Sequence, residues 1–86
     1  MKRTPLHEAV LSNKINHVKL LIKYGANPNL QDVDGNTAAH FAADLSCFEV
    51  FSTLMESTIR LNLKLKNHQQ MTVIDCIRDK NMFSML

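Results

Sequence analysis

Apolar residues in this chain recur at helical spacing. Ile15, Val18, Leu21 and Ile22 fall at offsets of 3, 6 and 7, which is one face of an α-helix. The same offsets return 33 residues later in Phe48, Phe51, Leu54 and Met55. The pattern therefore predicts two amphipathic helices with these stripes turned to a core. The stretches TPLHEAV (4–10) and TAAHFAA (37–43) carry the same period, each with Thr three residues ahead of His. A fixed period of this size marks a repeat architecture. A third unit starts at Thr72, 35 residues after Thr37, and its Phe83 and Leu86 fall where Phe48 and Phe51 fell. Repeats are expected over 1–33, 34–68 and 69–86, each with a short helix, a tight turn, a second helix and an extended return.

Turn residues agree with this layout. Thr4 before Pro5 is an N-cap followed by proline at the first helical position, where its missing N–H costs nothing. Ser12-Asn13-Lys14 and Asp44 to Cys47 are expected to turn the chain between paired helices. Gly25 sits where a left-handed cap ends the second helix, Pro28 opposes further helix, and Asp34-Gly35 is a turn signal, so 27–37 reads as a hairpin-like loop. The corresponding stretch 56–72 has two extra residues and lacks glycine at both places, which predicts a finger of different shape.

Composition narrows the function. An 86-residue chain with 45% hydrophobic residues suits one small domain. A net charge of +2, scattered along the sequence, does not form the basic stripe of a nucleic-acid binder. No apolar run reaches the length of a membrane span, and the N-terminus lacks the order of a signal peptide. Cys47 and Cys76 form no ligand cluster, so neither a zinc site nor a disulfide framework is expected. Reduced thiols fit an intracellular compartment, cytoplasmic or nuclear.

TPLHEAV, VKLLIKYGANPN and DVDGNTAAHFAA resemble the ankyrin repeat pattern over nearly the whole chain. The resemblance implies an all-α solenoid of stacked helix-turn-helix units joined by β-turn or hairpin fingers. TVID (72–75) places Asp75 where His7 and His40 stood, which resembles terminal ankyrin repeats. RLNLKLKNHQQMT also resembles the repeats of IκB-like ankyrin proteins, inhibitors of transcription factors. In the family the Thr hydroxyl and His ring tie the start of the first helix to neighbouring backbone, so His7 and His40 are expected to be structural. A catalytic role would need a nucleophile or carboxylate beside them, and the sequence shows no such trio. His17 and His68 are expected at the surface. DVDGN (32–36) lacks the spacing and distal glutamate of an EF-hand loop. No cofactor, metal or enzymatic activity is implied.

The resemblance implies a protein-protein interaction module whose finger tips and first helices line a concave surface. Partner-binding positions are expected at Leu11, Ser12, Gln31, Val33, Asp34, Asn36, Phe41, Asp44, Leu45, His68, Gln69 and Met71. Lys2, Arg3, Glu8, Lys66, Cys76, Asp79 and Lys80 are displayed on the same grounds. The partner is another protein, with no nucleic acid or membrane implied. An alternative reading is a regulatory or substrate-positioning arm of a larger protein. Met82, Phe83, Met85 and Leu86 are expected to form an uncovered apolar end, available for self-association unless the chain is a piece of a longer one. Asn29, with Leu21 eight residues earlier, resembles the target pattern of the asparaginyl hydroxylase that modifies ankyrin fingers.

Overall fold

The computed structural model describes residues 3–86, so the expectation for Lys2 lies outside the described residues. Thr4 starts the first helix, α1 (Pro5–Leu11): its side chain accepts from the His7 backbone N–H at 3.2 Å, and His7 Nδ1 accepts from the Thr4 N–H at 3.0 Å. This reciprocal box satisfies two donors that a helix start leaves unpaired. Thr37 and His40 repeat it at α3 (Ala38–Asp44), and Thr72 and Asp75 at α5 (Val73–Cys76). The second helices, α2 (Ile15–Lys23) and α4 (Phe48–Met55), have no side-chain cap. They depend instead on packing.

First helices form one layer, in which α1 meets α3 and α3 meets α5, while α2 and α4 meet behind them. Ala38, Ala39, Ala42 and Ala43 are all buried in α3, and such small side chains let the helices on both sides approach closely. Val18, Val50, Phe51 and Leu54 fill the space between layers. No strand forms among the described residues, consistent with the all-α expectation.

Two apolar expectations require correction. Phe48 is 37% exposed, and Val50, at 1%, takes the core place, because the buried face of α4 is centred on Val50, Phe51 and Leu54. Met82 is fully buried rather than part of an uncovered end, although Phe83 and Leu86 are exposed. The last element is a 3-10 helix, Lys80–Met85, whose tighter winding turns Met82 into the core.

The finger expectation also fails at its tip. In the first finger the Asp32 N–H donates to Asn36 O at 2.9 Å and the Gly35 N–H to Asp32 O at 3.0 Å. Asp32 Oδ1 accepts from the Asp34 and Asn36 N–H groups, both at 2.9 Å. The second finger reproduces all four bonds around Asn67: the Asn67 N–H donates to Met71 O, the Gln70 N–H to Asn67 O, and the Gln69 and Met71 N–H groups to Asn67 Oδ1. Gln70 has φ 63°, close to the +79° of Gly35. Four local hydrogen bonds thus hold a non-glycine residue in left-handed backbone. The two extra residues are absorbed earlier, after α4 ends at Met55 with its cap at Glu56 and before Asn62, where the bonding of Asn27 resumes: Asn27 Oδ1 accepts from the Asn29 N–H and Asn62 Oδ1 from the Lys64 N–H.

Candidate functional site

His7 and His40 each join their own unit to the next finger. His7 Nε2 lies 2.8 Å from Asn36 O, and His40 Nε2 lies 3.0 Å from Met71 O. Because Nδ1 accepts from the Thr backbone N–H, Nε2 carries the proton and donates to the carbonyl. Both ring nitrogens are therefore committed. Burial holds the His40 pKa below the usual 6.5, against a smaller opposing pull from its bond to Met71 and the Asp32 charge. Asp75 completes its own helix start but has no ring N–H to pass on.

Further side chains join the fingers. The Asn29 amide donates to Arg60 O at 2.9 Å and accepts from the Asn62 N–H at 2.7 Å. Gln31 Nε2 donates to Gly35 O and Lys66 O, the His68 N–H donates to Asp34 O, and Asn67 Nδ2 donates to Asn36 Oδ1. Gln31 and Asn36 therefore hold the stack together and are not display positions alone. Asp32 Oδ2 is buried and has no partner among the described residues.

In front of these ties lies a concave depression of about 500 Å³. The structure brings Asp34, Asn36, Phe41, Asp44, His68, Gln69 and Met71 together on its walls. Leu11, Ser12, Gln31, Val33 and Leu45 lie outside it. Val33 stands 63% exposed at the finger tip, and Leu45 faces the turn between α3 and α4. Phe41 supplies an aromatic wall: the His7 ring meets it edge-on with centroids 5.8 Å apart, and the Arg3 guanidinium carbon sits 5.8 Å from its centroid. Asp44 accepts from Arg78 Nε at 2.7 Å. Arg78, Asn67 and His40 complete the lining without having been expected there, together with Cys76, which was. Arg78 was legible only as a residue 34 positions after Asp44, nearly one period. Cys76 is buried, which corrects its assignment as a displayed residue, and burial raises its thiol pKa, with the neighbouring Asp44 and Asp75 charges adding to the effect. His17 and His68 are exposed. No helix of the described residues is long and apolar enough to cross a membrane.

The family model described as "Ankyrin repeats (3 copies)" matches residues 1–65. This chain belongs to the ankyrin repeat family. Ankyrin repeats are protein-interaction modules. The human transient receptor potential cation channel subfamily A member 1 is 40% identical over 74 residues, covering 85% of this chain and 7% of the channel. Rat NF-kappa-B inhibitor alpha is 35% identical over 57 residues, covering 66% of this chain and 18% of the inhibitor. The solved ankyrin repeat domain of Bcl-3, a member of the IκB protein family, superposes with a TM-score of 0.89 at 31% identity, covering 96% of this chain and 36% of that one. The ankyrin chain thus spans only a small part of these relatives.

Proposed function

We propose that this ankyrin segment is a non-catalytic, intracellular adaptor that holds a segment of a partner protein in the depression in front of α3. The repeat units are those of 1–33, 34–68 and 69–86. One observation carries the reading: side chains from two fingers and from α3 converge on one concave surface, while both histidines are spent on joining units. Phe41 gives that surface an apolar centre, and Asp34, His68, Gln69 and the Asp44–Arg78 pair give it a polar rim. An apolar anchor ringed by polar groups is the usual anatomy of a protein contact. The similarity to NF-kappa-B inhibitor alpha and to Bcl-3 supports a narrower reading, binding to a transcription factor. The small share of each relative that the chain spans supports a place within a longer interaction surface.

The test is site-specific photo-crosslinking in cells. A benzophenone side chain replacing Gln69 should capture a partner, whereas one replacing Lys19, on the far face of α2, should capture none. Phe41→Ala should weaken the captured complex by about tenfold or more, as loss of an interface anchor does. Capture from residue 19 alone would refute the depression as the site.

A further inference from the structure

The second finger carries a charge pattern that the depression uses only at His68. Between Glu56 and Asp75 the chain has no acidic residue, yet it contains Arg60, Lys64 and Lys66 as well as His68. All four are exposed, and they alternate with half-buried Leu61, Leu63 and Leu65 and buried Asn67. The three ion pairs among the described residues join Arg3 to Glu8, Lys19 to Glu49 and Arg78 to Asp44, so none of them neutralises this ridge.

The ridge is built on ordered backbone. Asn29 clasps Arg60 O and the Asn62 N–H, Gln31 holds Lys66 O, and Asp34 O accepts from the His68 N–H. These cross-finger bonds fix the segment before any partner arrives, which lowers the ordering cost of binding. Unpaired like charges on a fixed segment attract an opposite charge and raise its association rate.

We propose that residues 60–68 form a basic ridge that docks an acidic segment of a partner polypeptide, rich in Asp and Glu. The inference rests on the interaction-module reading for its class of partner. An acidic peptide fits better than a nucleic acid, because residues 57–74 contain no Phe, Tyr or Trp on which bases could stack. The ridge meets the depression at His68, so one partner chain can place acidic residues on the ridge and an apolar residue beside Phe41.

Fluorescence anisotropy with labelled poly-glutamate tests the proposal, with poly-lysine and an oligothymidylate of equal length as comparisons. Poly-glutamate should bind most tightly, and binding should vanish at about 1 M salt, where the screening length falls to about 3 Å. The double variant K64E/K66E should lose at least about tenfold in affinity. K64Q/K66Q, which removes charge without reversing it, should fall between the two. Undiminished affinity in K64E/K66E with native circular dichroism, or tighter binding of oligothymidylate, overturns the proposal. Poly-glutamate has no apolar residue to place beside Phe41, so this titration reads the ridge alone and a failure of the depression reading appears separately, in the crosslinking readout.

Discussion

Gly35 and Gly25 both adopt left-handed backbone, at φ +79° and +85°, but only Gly35 has a neighbour where a side chain would grow. A Cβ on Gly25 meets nothing within 4 Å, whereas one on Gly35 would lie 2.9 Å from Asn67 Cα and 3.1 Å from His68 N. Both obstacles are backbone atoms and cannot rotate away. Gly25→Ala therefore incurs only left-handed strain, roughly 1–2 kcal/mol, partly offset by a less flexible unfolded chain, for a net loss near 1 kcal/mol. Gly35→Ala adds about 1–3 kcal/mol of overpacking. Pushing the second finger away also weakens the 2.9 Å bond from the His68 N–H to Asp34 O, about 0.5–1.5 kcal/mol. The expected total is about 3 kcal/mol or more, a large part of the roughly 5–15 kcal/mol that stabilises a typical protein. Urea unfolding followed by far-UV circular dichroism should give a much lower midpoint for Gly35→Ala than for Gly25→Ala. Equal losses, within about 0.5 kcal/mol, would refute the close contact between fingers.

Gln70→Gly should raise stability by roughly 0.5–1 kcal/mol, since Gln70 is exposed and its left-handed φ of 63° is strained for any residue with a Cβ; the same urea titration reads it. Leu54→Ala, which empties a fully buried site between α4 and its neighbours, should cost about 2–5 kcal/mol in thermal or urea unfolding. Because the His40 pKa is lowered in the fold, its contribution to stability is complete above the ordinary value of 6.5 and declines as pH falls below it. Urea midpoints should therefore drop as pH falls from 7 toward 5, and His40→Gln should flatten that slope.

Local chemistry was readable from the chain, while contacts between units were not. Thr4-Pro5 announced a helix start because capping involves residues three apart, and Val18, Phe51 and Leu54 announced the core because helical spacing sets their face. Asp34-Gly35 announced a turn, but not that the next finger presses on it, because that contact spans residues 35 and 67. Missing glycine was a misleading signal at Gln70, where the hydrogen bonds of Asn67 impose the same backbone. Phe41, Asp44 and His68 were expected as displayed positions because the ankyrin resemblance assigns finger tips and first helices to the concave surface. Their gathering into one depression, closed by Arg78, depends on how neighbouring units stack. Leu45 and Val33 fell outside it for the same reason: register places a residue on an element, and stacking decides what that element faces.

Long-range proton–nitrogen NMR on a histidine-labelled sample tests most directly whether the histidines join the repeats, leaving the concave face to bind. His7 and His40 should both appear as neutral rings with the proton on Nε2, hydrogen-bonded across units to Asn36 O and Met71 O. His40 should remain neutral as the pH passes below 6.5. A proton on Nδ1 in either ring, or a His40 that titrates at or above the ordinary value, would contradict it.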